Sequence, residues 1–270
     1  MKKNKFYGWL KNNTTLSESS IKQYYYAIKK FKQEVKELEI DKINEFITNN
    51  FRDKRNYHYK FAIKHYLKYL GREDLINQLA KVKIKPRKRI GHYYDKDTIL
   101  RIIDGLNYYK IVGLIQFITG ARARAVLSFH RDRLIKEEKG IRLALKEKGD
   151  KEVVVYIPKP YSDEVIKVID HRKVEYPFLK GKSHNFATLL ENNYRYYLDE
   201  IKKSCERIDV RFNTHDFRRN FAQIIYKKSG RNISIVKAML KHNKLATTEK
   251  YIGEFLSKEE FDKLIEDILS

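Results

Sequence analysis

The stretch THDFRRNFA, residues 214–222, sets His215 three positions before Arg218 and follows that arginine with Arg219. In a helix, residues three apart share a face, so His215 and Arg218 can reach one small target while Arg219 points elsewhere. An imidazole beside a guanidinium suits an anion, and the planar fork of arginine fits phosphate. A plain solvated helix would carry the same three charges, so this stretch alone does not decide its chemistry.

Three further stretches hold residues of the same character. FITGARARAVLSF places Arg122 just after Gly120, with Arg124 two positions on. KEKGDKEVVV places Lys148 at a bend, with Lys146 and Lys151 also flanking it. MLKHNKLATTEKYI places His242 nine positions before Tyr251, which is one of 20 tyrosines. Each of these also has an ordinary structural reading: a charged hairpin tip, a helix-end histidine, a packed tyrosine.

The elements that must position these residues fall in two segments. From Leu16 to Gly71 the pattern is helical: LSESSIKQYYYAIKKF sets Ile21, Tyr24, Ile28 and Phe31 at helical intervals behind serines suited to N-capping. DKINEFI and NYHYKFAIKHYLKYLG continue it, the latter closing at Gly71. Beyond the middle of the chain, KDTILRIIDGL and YKIVGLIQFITG read as helices, with Gly120 closing the second. IRLALK and EVVVYIP read as two strands joined by a hairpin bend at Gly149-Asp150, and helical patterns return from Tyr161. The expected fold is mainly α with a small β-hairpin or sheet, in two domains: 1–80, a basic linker 81–92, and 93–270. Within the linker, Lys81, Lys83, Lys85, Arg87, Lys88 and Arg89 surround Pro86, which disfavours helix at Lys85. This stretch is either a solvated loop or a strap across a phosphate backbone.

Composition narrows the partners. Lys and Arg number 58 against 35 Asp and Glu, a formal charge of +23, an excess that repels itself unless a polyanion binds. Nucleic acid leads. No apolar run approaches the roughly 18 residues of a spanning helix, and the first residues lack the apolar stretch of a signal peptide, so we expect no membrane partner and a cytoplasmic location. The single Cys205 excludes an internal disulfide and a cysteine-rich zinc site, and the eight histidines show no HExxH spacing, so no metal is suggested.

Taken in order, the four stretches resemble the boxes of the tyrosine recombinases, the lambda-integrase and Xer class of site-specific DNA recombinases. Thr119-Gly120-x-Arg122, Lys148-Gly149-x-Lys151, His215-x-x-Arg218 and His242 followed nine residues later by Tyr251 match the family's boxes in order and spacing. LSESSIKQYYYAIKKF and LKYLG look like its helical, SAM-like core-binding domain, so the resemblance spans nearly the whole chain. It implies a catalytic set of Arg122, Lys148, His215, Arg218, His242 and Tyr251, selecting Arg122 over Arg124 and Lys148 over its neighbours. Arginines would clamp the charge that develops on a phosphodiester under attack. The Tyr251 phenol would form a covalent 3′-phosphotyrosyl intermediate, assisted by His215 and the arginines because a free phenol has a pKa near about 10. Lys148 would protonate the departing 5′ oxygen, and His242 would hydrogen-bond the phosphate. The phosphotyrosyl bond stores the cleaved linkage, so no cofactor, ATP or metal is expected.

The chain also departs from the family's pattern. An acidic residue commonly stands three positions after the first arginine, where this chain has Ala125, so support for Arg122 must come from elsewhere. The usual glycine before the second histidine is Lys241, a further candidate DNA contact beside Lys83, Lys85, Arg87, Lys88 and Arg89. After Tyr251 the chain continues GEFLSKEEFDKLIEDILS, an amphipathic tail that packs on its own domain or, by resemblance, docks on a neighbouring protomer. The expected partners are double-stranded DNA and a homo-tetramer on two DNA sites. A type IB topoisomerase-like enzyme, or a DNA-binding protein without cleavage activity, remains the alternative.

Overall fold

The computed structural model describes residues 5–50, 58–81, 92–147, 151–242, 244–249 and 251. The chain divides into two compact units, Met1–Lys88 and Arg89–Ser270.

The first unit is helical: α1 (Lys5–Asn13), α2 (Glu18–Glu34), α3 (Ile40–Asn50), α4 (His58–Tyr69) and a 3-10 turn over Glu73–Gln78. Ser17 caps α2 by accepting from the Ser20 amide, and α2 buries Ile21, Ala27, Ile28 and Phe31 along one stripe. These side chains meet Ile43, Ile47, Ile63 and Leu67 from α3 and α4 in one apolar core. The turn after α4 needs Gly71, whose φ of 71° lies in the left-handed region.

The second unit runs α5 (Lys96–Asp104), α6 (Lys110–Thr119), α7 (Ala123–Leu127), β1 (Leu134–Glu137), β2 (Gly140–Lys146), β3 (Glu152–Pro158), α8 (Tyr161–Arg172), α9 (Phe186–Arg207), α10 (Thr214–Lys228), α11 (Ile233–Met239) and α12 (Leu245–Glu249). Its sheet is antiparallel in the order β1-β2-β3, with Leu143 opposite Val155 and Lys146 opposite Glu152. The two strands read from the sequence are β2 and β3; β1 is an addition. In β3, Val153, Val155 and Ile157 face the core while Glu152, Val154 and Tyr156 face out, the period-2 alternation of a half-buried strand. Ile99, Ile103, Ile115, Val126, Ile141, Leu143, Tyr197 and Phe217 form the main core. Each such fully buried apolar side chain contributes roughly 1.5–3 kcal/mol, so α6, α10 and the sheet are held in fixed relation. Among the described residues no helix is long and apolar enough to cross a membrane.

Candidate active site

The first arginine is set by the way α6 stops. Thr119 Oγ1 donates to the Ile115 carbonyl at 2.6 Å and accepts from the Ala121 amide at 3.2 Å, which turns the chain out of the helix. Gly120 then takes φ 65°, and a Cβ on it would lie 2.4 Å from the Phe221 ring, so glycine is required on two counts. Arg122 follows in extended conformation as the N-cap of α7. Buried Gln116 donates from Nε2 to the carbonyls of Ala121 at 3.0 Å and Thr214 at 3.4 Å, and its Oε1 accepts from the Tyr197 hydroxyl at 2.7 Å. Gln116 thereby straps the Arg122 turn to the start of α10. Arg122 itself donates from Nη1 to Glu147, a carboxylate 5% exposed at the end of β2. Ala125 is buried and offers Arg122 no charge.

Helix α10 begins with a capping box: the His215 amide donates to Asn213 Oδ1 and the Asn213 amide to Asp216 Oδ2, both at 2.9 Å. Arg219 donates to Asp216 Oδ1 at 2.5 Å and is thereby tied to its own helix. Arg218, 3% exposed, points inward. Its Nη1 donates to the Gly120 carbonyl at 2.5 Å and its Nη2 to the Leu240 carbonyl at 2.5 Å, while Nε has no partner among the described residues. Burial and then the Arg122 charge lower its pKa to about 10, with Glu147 and Tyr251 pulling it back up, so it stays charged at neutral pH. His215 remains accessible to solvent on the same helix. The protein mass behind it, followed by the charges of Arg219, Arg218 and Arg122, holds its pKa below the ordinary imidazole value.

The second histidine is placed by the end of α11. The Lys241 amide donates to Ala238 and the His242 amide to Lys237, both at 3.1 Å, with Lys241 at φ 55°. This is a Schellman ending, in which the left-handed position favours glycine. It explains physically why a glycine is usual there and shows that Lys241 occupies the same conformation. His242 is buried, with Nε2 3.1 Å from Arg218 Nη2 and Nδ1 3.0 Å from Thr248 Oγ1. Because arginine only donates, Nε2 accepts and the proton sits on Nδ1, facing Thr248. Burial, then the charges of Arg218, Arg122 and Lys151, hold the His242 pKa down to about 4, so the ring is neutral. Through Nε2, His242 therefore accepts a bond that orients Arg218.

Thr248 carries the order onward, since its carbonyl accepts the Tyr251 amide at 2.8 Å. The Tyr93 hydroxyl donates to the Tyr251 carbonyl at 3.1 Å. Tyr251 packs beside Phe221, Val236 and Leu240, its ring 5.1 Å from that of His242 and 5.7 Å from the Arg218 guanidinium carbon. Asn220 holds the chain leading into this unit, accepting from the Tyr94 amide at 2.8 Å and donating to the His92 carbonyl at 3.0 Å.

The structure therefore brings His242 and Tyr251 against Arg218, with Arg122 and His215 near enough for the arginine charges to be felt at each. Lys241 is exposed beside His242, and its carbonyl accepts from Lys151 Nζ at 3.0 Å. A cavity of about 460 Å³ opens next to His242, lined by Lys151, Lys237 and Lys241 among others. Lys148, and Lys83, Lys85, Arg87, Lys88 and Arg89 of the basic stretch, lie outside the described residues, as does the tail from residue 252. Gln116, Glu147, Asn220 and Thr248 are the supporting residues that spacing alone did not reveal. Only the missing acid at position 125 gave a hint of Glu147.

The phage integrase family model matches residues 93–256. The chain is 24% identical over 218 residues to tyrosine recombinase XerA of Thermococcus kodakarensis, covering 77% of this chain and 75% of that protein. It is also 24% identical over 220 residues to a putative tyrosine recombinase XerC of Pseudomonas syringae, covering 72% of this chain but 46% of that protein. In fold it resembles XerH bound to a palindromic difH substrate in a post-cleavage complex, with TM-score 0.68, 16% identity and coverage of 93% of this chain and 79% of that one. It also resembles a lambda integrase dimer bound to a core site, with TM-score 0.65, 13% identity and coverage of 93% and 95%. On the family match, which takes in more than half of its length, the chain belongs to the phage integrase family, the tyrosine recombinases.

Proposed function

We propose that this recombinase cuts and rejoins duplex DNA at a specific site, with Tyr251 as the nucleophile and Arg122 and Arg218 as the clamp on the scissile phosphate. One observation carries the reading: buried Arg218 lies against the Tyr251 ring, and Arg122, paired with Glu147, is near enough for its charge to act on Arg218. A buried cation compensated mainly by neutral carbonyls is costly, and a phosphate oxygen is the partner that offsets that cost. The depressed pKa of His215 keeps its ring neutral and able to accept the phenolic proton. The Tyr251 oxygen attacks phosphorus, the bond to the 5′ oxygen breaks, and Lys148 protonates that oxygen, leaving a 3′-phosphotyrosyl bond and a 5′ hydroxyl. A second 5′ hydroxyl attacks in reverse, and the phenol regains its proton. The arginines supply the charge stabilisation and the covalent bond conserves the linkage, so cleavage should proceed in excess EDTA and without ATP.

The charge of +23 suits a clamp on duplex DNA, in which the first unit acts as the core-binding domain. Four protomers would exchange strands between two sites, with residues 253–270 docking on a neighbouring protomer. Binding sites are first selected from a randomised duplex library, and two labelled duplexes carrying the selected site are then mixed with the protein. Exchange of strands between the duplexes supports the proposal, whereas relaxation of supercoils without exchange points to a topoisomerase and binding without cleavage to an architectural protein. Light scattering of the complex tests the tail: a chain truncated after Gly253 that still assembles four subunits contradicts docking in trans.

A further inference from the structure

We infer that Glu147 is a positioning residue for Arg122, taking the place of an acid that the arginine's own helix lacks; the inference rests on the active-site reading above. Arg122 stands at the N-cap of α7, where a carboxylate at position 125 would lie one turn along the same helix. That position is buried Ala125. The carboxylate that meets Arg122 comes instead from Glu147, 25 residues on and in a different element. Its side chain is nearly inaccessible, whereas that of Arg122 is 36% exposed. The carboxylate therefore lies on the protein side of the pair, while the Arg122 side chain keeps part of its surface open to solvent. The scissile phosphate would approach from that open side.

The backbone of Glu147 is anchored as well. The Glu147 amide donates to the Lys151 carbonyl at 2.8 Å, directly beyond the last β2–β3 pair, Lys146 opposite Glu152. Lys151 Nζ then reaches the Lys241 carbonyl at 3.0 Å, immediately before His242. Glu147 is thus joined through the hairpin to the element that carries the second histidine, and it directly precedes Lys148 in sequence. Electrostatics point the same way. Arg122 and Arg218 repel one another across the site, and Glu147 is the carboxylate that offsets this repulsion at Arg218. An acid at position 147 therefore holds Arg122 in place and lessens the mutual repulsion of the two arginines.

The test is single-turnover formation of the covalent adduct at saturating DNA, on a nicked duplex carrying the selected site. The parent is compared with Glu147→Gln, Glu147→Asp, Arg122→Gln and the Arg122→Gln/Glu147→Gln double variant. Glu147→Gln should bind DNA at least as tightly as the parent, because a negative charge near the phosphate is gone, yet form adduct roughly tenfold to a hundredfold more slowly, the range that misplacing a catalytic group can cost. Glu147→Asp, which keeps the charge, should recover part of the rate. In the double variant the two losses should fall short of their product, because both act through one guanidinium. A Glu147→Gln protein that forms adduct at the parental rate, or losses that multiply in the double variant, would overturn the assignment while leaving the functional reading intact. A parent that forms no adduct would overturn both.

Discussion

Arg218 donates to the carbonyl of Gly120 at 2.5 Å, so the two arginine boxes, nearly a hundred residues apart in sequence, are joined by one hydrogen bond. Gly120 can present that carbonyl only because it is left-handed and has no side chain under the Phe221 ring. The glycine two positions before one arginine and the burial of the other are thus one structural fact.

Gly120→Ala should accordingly destabilise the second unit by about 1–3 kcal/mol, from left-handed strain together with overpacking against Phe221. Denaturant unfolding measures this. An unchanged midpoint would mean that the loop relaxes freely and that Arg218 does not depend on it.

Lys241→Gly should act in the opposite direction on stability. At φ 55° a glycine replaces a strained residue at the Schellman position, for a gain of about 0.5–1 kcal/mol. If Lys241 also binds a DNA phosphate, the same change should flatten the dependence of log affinity on log salt by up to about 0.9. A lower melting temperature in the variant would contradict the backbone argument.

The histidines give the protein a pH dependence with a definite sign. His242 has a folded pKa of about 4, below its unfolded value of about 6.5. Between these values the unfolded chain binds more protons, so the folded state loses stability as pH falls from about 6.5 towards 4. The depressed pKa of His215 adds to the same trend. Melting temperatures of the parent and of His242→Asn across that range should converge or cross, since the variant loses the proton uptake. Parallel curves would show that His242 is not the group responsible.

The sequence displayed those parts of the site that lie on local elements. A three-residue spacing put His215 and Arg218 on one helical face, and Thr119-Gly120 announced a helix end before Arg122. Ser17 and Gly71 marked the bounds of α2 and α4 for the same local reasons. What stayed hidden depends on packing between distant parts of the chain. Glu147 meets Arg122 only when β2 packs beside α7, and Gln116 reaches Thr214 only when α6 lies against α10. Thr248 gave no signal, because a buried threonine within a charged run resembles any exposed one. Strand β1 was missed since its residues are half-buried or exposed and show no alternation; pairing with β2 creates it.

The basic stretch makes a separate prediction. If it crosses phosphates, replacing Lys83, Lys85, Arg87 and Lys88 by alanine should weaken binding to every DNA sequence alike and flatten the salt slope by up to about 0.9 for each phosphate no longer neutralised. An unchanged slope would leave it a linker and no more.

If Tyr251 becomes covalently joined to DNA, that bond can be trapped. A nicked suicide duplex carrying the selected site is incubated in EDTA with the parent protein or with Tyr251→Phe, and the products are run on a denaturing gel. We predict a shifted protein–DNA adduct for the parent and none for Tyr251→Phe, although the variant still binds the duplex. An adduct retained by Tyr251→Phe would contradict the role of Tyr251 and place the nucleophile on another residue.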